Sequence, residues 1–537
     1  MRALLALRLA ARGGSAAANL LLGRLLAPAD FGELAFWMAL LALPDLAGTL
    51  GLFDALAGWQ EGPRPKERET APGPPEKTAS PCEDLERAVF RVSLFTFLVL
   101  FGGLFVLAPV LAQIFGRPGE AAFLRLLCLS LLATPWTKST AVHVQLALRA
   151  GAGAETAGKA EGEGEHCEVT KAGSAGGRRD TRPESWRGET FPDPDALYRR
   201  YLWSALPGAL LAPGAALLAA VLCRPAGREG LAVLLLLTLL RNFLDAISGP
   251  LFTGWRPFST CRRRRFRPGA LREQAGDPAL RALVLDGRNL LMAALLDLAA
   301  GNLRTLLLGL LGTGTDLAFY TRGRQIPQVL AEDLAASLGF VLLPLFAGRG
   351  RGRKSARLLQ GEPDRGAEAQ REAFLAALQR TGLAVFPAAG LLAASAGKLL
   401  PLLLGQAWQG LSGICALECL ACALYPVHAL HVAALRGCGR SGALVRLEGR
   451  KKLLSLLLLL PAILQGRHPA LFGGASPALV LAGTDLLSSL LALPFNLHPL
   501  RRALGVRPWE ECKALLPALS TAAIVGLPLC FFLRGGI

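Results

Sequence analysis

The stretch Arg24-Leu25-Leu26-Ala27-Pro28-Ala29-Asp30-Phe31-Gly32-Glu33-Leu34-Ala35-Phe36-Trp37 joins two long apolar runs through a turn of a few residues. Pro28 has no N–H and cannot continue the helix before it, and Asp30 is a side-chain type that caps the start of the helix after it. Gly32 permits a tight turn, and Trp37 is the amphipathic aromatic that favours a bilayer interface. The pattern predicts a helical hairpin within a membrane.

Outward from this hairpin the same texture continues. Of 537 residues, 52% are hydrophobic, more than soluble chains of this length carry. About thirteen runs are long enough to span a bilayer, which takes roughly 20 residues each. They cover 3–26, 31–57, 88–115, 120–147, 198–222, 229–255, 284–312, 315–347, 373–403, 408–435, 441–465, 476–499 and 513–533. The first run holds Arg8 and Arg12 and lacks a small-residue cleavage site, so it reads as a retained helix rather than a signal peptide.

The formal charge of +18 is unevenly placed. Most Lys and Arg fall in the loops after even-numbered runs, including Cys261-Arg262-Arg263-Arg264-Arg265-Phe266-Arg267. Positive-inside reasoning puts those loops and the N-terminus in the cytoplasm. Topology and anionic lipid headgroups account for the basic balance, which leaves no need for a nucleic acid partner. The eleven cysteines show no pairing pattern for an oxidising compartment. Cys415, Cys419 and Cys422 share one helix face and read as packing residues, not as a metal site.

Two segments break the apolar pattern. Residues 59–83, with Pro72-Gly73-Pro74-Pro75, and residues 149–194 are polar, have no apolar period and are expected to be disordered cytoplasmic insertions. Gly153 to Lys159 spells the outline of a phosphate loop, but Ala160 stands where Ser or Thr would hold magnesium, and no strand precedes it. The chain therefore divides into an N-terminal lobe at 1–256, a basic linker at 257–283, a C-terminal lobe at 284–499 and an added helix at 500–537. Leu317-Ala318-Phe319-Tyr320 follows the turn Gly312-Thr313-Gly314-Thr315-Asp316 as Leu34-Ala35-Phe36-Trp37 follows the turn at Asp30. A parallel repeat of about 280 residues fits this.

The first turn resembles the Leu-Leu-x-Pro-x-Asp-Phe-Gly turn of Wzx-type oligosaccharide flippases, in the superfamily that also holds lipid II flippases and multidrug/cation antiporters. Leu50-Gly51-Leu52, Tyr320-x-Arg322 with Ile326-Pro327, and Leu404-Gly405-Gln406-Ala407-Trp408 fit the same family. Leu343-Pro344-Leu345-Phe346 resembles its Leu-Phe-Pro ending with the order altered, and thirteen runs depart from its usual twelve or fourteen. The resemblance implies an all-α polytopic membrane protein of about 12–14 transmembrane helices, in two six-helix lobes around a central cavity. It further implies a multi-pass protein of the bacterial inner membrane that carries lipid-linked oligosaccharide of polyprenyl-pyrophosphate type to the outer leaflet. Its setting would be lipopolysaccharide or other surface-polysaccharide biosynthesis, beside a polymerase and glycosyltransferases. The alternatives are a lipid II flippase, a drug/cation antiporter, or a membrane glycan polymerase or ligase. An enzyme of the last kind usually carries a sizeable outer loop, and here every loop after an odd-numbered run is short.

A charge at mid-membrane costs about 2.5–3.5 kcal/mol even on a lenient scale, so such residues face protein or water. Many of them lie on the first, second, seventh and eighth runs: Arg8, Arg12, Asp45, Asp54, Asp297, Arg304, Arg322, Arg324, Glu332 and Asp333. These are the runs that line the cavity in the family it resembles. Asp297, Gly301 and Arg304 share one helix face. The expected substrate site is Arg8, Arg12, Asp45, Asp297, Arg304, Arg322, Arg324 and Gln328, with guanidinium groups suited to pyrophosphate. Interfacial snorkelling or buried structural pairing is the other role open to any one of them. Nothing calls for a cofactor, and a coupling ion, H+ or Na+, stays open.

Overall fold

A computed structural model describes residues 17–58, 81–162, 194–223, 229–255, 278–328, 365–437 and 441–535. The described residues form helices and turns only. In chain order they are α1 at 17–25, α2 (Pro28–Gly48), α3 (Leu52–Gly58), α4 (Pro81–Ile114), α5 (Ala121–Cys128) and α6 (Thr134–Gly162). Next comes α7 (Pro194–Leu206), which runs through the π-turn Pro207–Leu211 into α8 (Ala212–Cys223). Then follow α9 (Glu229–Thr253), α10 (Pro278–Leu311) and α11 at 314–328. The chain continues with α12 (Arg365–Leu404), α13 (Leu411–Ala423), α14 (Tyr425–Gly437), α15 (Ser441–Leu457) and α16 (Leu460–Arg467), and ends with α17 (Pro477–Leu504) and α18 (Pro508–Gly535).

Among the described residues seven helical segments are long and apolar enough to cross a bilayer: Pro28–Gly48, Leu85–Ile114, Ala196–Cys223, Glu229–Thr253, Gln370–Leu404, Leu411–Leu435 and Pro477–Arg502. They coincide with expected runs. The runs at 284–312 and 513–533 are also single helices, α10 and α18, whereas 120–147 is broken at Leu129–Leu132 by a 3-10 turn. The expected runs 3–26 and 315–347 are described only in part, as α1 and α11. Val106, Leu222, Leu251, Leu402 and Ile524 are each 68–73% exposed on helix faces. So many large apolar side chains facing outward suit lipid, not water. The protein is an all-α, multi-pass membrane protein.

The opening hairpin forms with two corrections. Pro28 is the first residue of α2, where its missing N–H costs nothing, and Asp30 lies within the first turn instead of before it. Trp37 is not interfacial. It is fully buried, edge-on to Phe36 with 5.2 Å between ring centroids. Gly32 proves obligatory for contact as well as for turning: a Cβ there would lie 1.8 Å from the carbonyl oxygen of Gly314. The two turns that the sequence marks as equivalent therefore touch, backbone to backbone.

The insertion at 149–194 also departs from expectation. Helix α6 continues through Gly162, so residues 149–162 are helical, and the phosphate-loop outline at 153–159 is helix rather than loop. Residues 163–193, and 59–80 of the other insertion, lie outside the described residues.

Two compact units emerge. One takes residues 1–22, 40–224 and 232–298, and the other takes 23–39, 225–231 and 299–537. In the first, Leu52, Phe53, Leu56, Leu85, Val89, Val142 and Leu146 pack together. Phe90 sits edge-on to both Trp136 (4.9 Å) and Trp255 (5.3 Å). In the second, α12 and α18 approach through small residues, with Gly382 against Ala518 and Gly390 against Ala522 and Gly526. Lipid offers apolar side chains no hydrophobic gain over packing, so close backbone approach at small residues is what holds such a pair.

Candidate functional site

The turn between α10 and α11 sets the depth of the site. Thr313 and Asp316 cap α11 reciprocally: the Thr313 N–H donates to Asp316 Oδ2 (3.1 Å), and the Asp316 N–H to Thr313 Oγ1 (3.1 Å). With that start fixed, a rise of about 1.5 Å per residue places Arg304 roughly 12 Å down α10 and Tyr320 roughly 9 Å down α11. The two side chains come to a similar level.

There they join a buried ionic network inside the second unit. Arg304 Nη1 pairs with Asp485 Oδ1 of α17, and its Nη2 donates to Ser455 Oγ of α15 at 2.5 Å. Tyr320 Oη donates to the other Asp485 oxygen, Oδ2, at 2.7 Å, and Arg324, one turn along α11, donates to Tyr320 Oη at 3.3 Å. Glu418 of α13 completes the set, within the electrostatic field of both arginines. Arg304, Tyr320, Glu418 and Asp485 are all at most 7% exposed. Two guanidiniums thus face two carboxylates across five helices. The Sγ atoms of Cys415 and Cys419, on the turns around Glu418, lie 4.0 Å apart.

The expected site residues are not all gathered here. Arg304 and Arg324 are in the network. The ion pair of Arg304 is made with Asp485 of α17; Asp297, which the sequence puts on the same helix face, is placed on the backbone of α10. Arg322 stands elsewhere on α11, its guanidinium 4.5 Å from the centre of the Phe31 ring and donating to Gln325 at 3.0 Å. Phe31 is edge-on to Trp408 (5.5 Å), whose indole N–H donates to the Gly23 carbonyl at 2.7 Å. Gln328 lies one turn beyond Arg324 on α11. Asp45 belongs to the first unit, where it accepts a 2.6 Å bond from Thr134 Oγ1. Arg8, Arg12, Glu332 and Asp333 lie outside the described residues.

Sequence reasoning missed Glu418, Ser455 and Asp485 as members. A signal for the two carboxylates was present, since an acid inside an otherwise apolar run has to find a partner. The two histidines of the tenth run, His428 and His431, have structural partners. His428 Nε2 bonds the Ser489 carbonyl (3.1 Å), and its Nδ1 meets the Asn496 amide (2.7 Å). His431 Nε2 meets Glu511 (3.1 Å).

Fold and site together define a polytopic helical membrane protein with a charge-balanced ionic network sunk among its helices. The chain belongs to the polysaccharide biosynthesis protein family, which matches residues 21–149 and 209–412. The matched ranges take in Arg304, Tyr320 and Arg324 and stop short of Glu418, Ser455 and Asp485. No curated protein matches the chain by sequence. In fold it is similar to the lipid II flippase MurJ in an inward closed conformation, with a TM-score of 0.58 and 11% identity over 99% of this chain and 95% of that one.

Proposed function

We propose that the protein translocates lipid-linked oligosaccharide, of polyprenyl-pyrophosphate type, from the cytoplasmic to the outer leaflet of the inner membrane by alternating access. It is a transporter and not an enzyme on this reading. The observation that carries it is membership of the polysaccharide biosynthesis family in a chain whose matched region places a buried arginine, Arg304, and a half-buried one, Arg324, in one ionic network. A guanidinium offers a planar fork of donors that fits phosphate oxygens in pairs. Arg324 is the first candidate for the diphosphate, because Arg304 already holds Asp485 and Ser455. Arg8, Arg12 and Arg322 are further candidates, and Asp45, Asp297 and Gln328 are candidates for sugar contacts or geometry. The two lobes at 1–256 and 284–499 would provide the moving parts. Similarity in fold to a lipid II flippase makes lipid II the natural second cargo to compare.

The test is flipping in liposomes that contain purified protein and a fluorescent polyprenyl-diphosphate oligosaccharide, read by a membrane-impermeant quencher, with lipid II and a cationic drug in parallel arms. The expected result is faster exchange of the oligosaccharide lipid than in protein-free vesicles. Arg324→Ala removes charge-assisted bonds worth about 1.5–3 kcal/mol, so exchange slows roughly tenfold or more. Arg534→Ala, in the last turn of α18, leaves it unchanged. Exchange no faster than in empty vesicles sinks the reading, and movement of the drug alone replaces it with the antiporter.

A further inference from the structure

Glu418 and Asp485 are the two carboxylates of the ionic network, and they are held differently. Glu418 Oε1 is buried and has no hydrogen-bond partner. Asp485, by contrast, is held by Arg304 and by the Tyr320 hydroxyl. The charged groups acting on Glu418 are Arg324 from α11 and Arg304 from α10. Tyr320 of α11, and Cys415 and Cys419 of its own helix, are the titratable groups coupled to it. An orphaned carboxylate oxygen in a buried site is costly, and protonation removes the charge that makes it so.

The count of charges gives the proton a consequence. With Glu418 ionised, two carboxylates match two guanidiniums and the network is neutral. With Glu418 protonated, one positive charge is left over beside Arg324. We propose that Glu418 is a proton-binding site whose occupancy readies Arg324 for the anionic diphosphate of a lipid-linked substrate. This rests on the flippase reading for the identity of the anion. One O–H bond forms, between a Glu418 carboxylate oxygen and a proton from the aqueous phase, and no other bond changes. Because linkage is reciprocal, the proton strengthens anion binding by the same factor that the anion strengthens proton binding.

The experiment uses the purified full-length chain with inorganic pyrophosphate as the probe, followed by infrared difference spectroscopy. Adding pyrophosphate to wild type brings up a protonated-carboxyl C=O band. Glu418→Gln loses that band, and Glu418→Asp keeps it at a shifted position, which shows that folding is not the cause. Pyrophosphate affinity in wild type falls with rising pH more steeply than in Glu418→Gln, by up to about tenfold per pH unit, the linkage of a single proton. The variant carries the probe's own titration and so serves as its baseline. The proposal is overturned if no band appears, if the band persists in Glu418→Gln, or if the two pH slopes coincide. Flipping of the oligosaccharide lipid separates the two readings. A Glu418 band without flipping leaves the proton site standing and removes the flippase. Flipping with identical pH profiles in wild type and Glu418→Gln does the reverse.

Discussion

Replacing Arg304 by Met tests the network as a structural unit. The change keeps the apolar stem of the side chain and deletes the charge. It strands Asp485, 6% exposed, with Tyr320 as its remaining donor, and removes the donor to Ser455. Breaking a buried ion pair from one side costs about 3–5 kcal/mol, because the charge left behind is uncompensated. The single Asp485→Leu change strands Arg304 in the same way and falls in the same range. The double change Arg304→Met with Asp485→Leu removes both charges and leaves mainly the Tyr320 hydroxyl without its acceptor, a loss of about 1–3 kcal/mol. The double variant is therefore more stable than either single one. Independent sites would add to within roughly 0.5 kcal/mol, so this is a large departure from additivity. Equilibrium unfolding of the purified variants in mixed micelles titrated with SDS measures all four corners of the cycle. The reasoning fails if Arg304→Met alone unfolds with wild-type stability, or if the double loss equals the sum of the single losses.

Gly32→Ala forces a methyl onto the Gly314 carbonyl and costs about 1–3 kcal/mol of stability or more, whereas Gly103→Ala, with nothing within 4 Å of the added carbon, is neutral or slightly stabilising in the same unfolding assay. Glu510, at the start of α18, is held below the usual carboxylate range first by the Arg507 N–H (3.0 Å) and then by Arg371, so its contribution to stability is present above the unfolded glutamate value and is lost as pH falls through the lower folded one. Acid unfolding curves of wild type and Glu510→Gln should therefore be parallel above about pH 5 and converge below about pH 4; curves parallel throughout would remove Glu510 from the account. Cysteines placed at positions 263, 353 and 451 resist an impermeant maleimide in intact cells, while one at 117 reacts. Labelling at 353 without labelling at 117 inverts the proposed topology.

The membrane class was legible in the sequence because lipid imposes a rule on every residue of a span: about 20 apolar side chains in a row and backbone polar groups satisfied within the helix. Pro28, Gly32 and the Gly312–Asp316 turn were legible for the same local reason, since each acts through its own backbone. Partner choice was not. Arg304 and Asp297 share a face of one helix at a spacing of seven, yet the guanidinium closes on Asp485, 181 positions away, because the turn at Thr313 and Asp316 and the packing of α17 decide which carboxylate stands at its depth. Trp37 shows the converse: its chemistry suits an interface, and packing against Phe36 puts it in the core. The sequence by itself determined that the chain is a membrane protein built of long apolar helices and where its first hairpin turns, through constraints that act within a single helix. Tertiary structure alone decided which charges meet and left the oxygen of Glu418 without a partner, because a salt bridge is set by the positions of two helices and not by the composition of either.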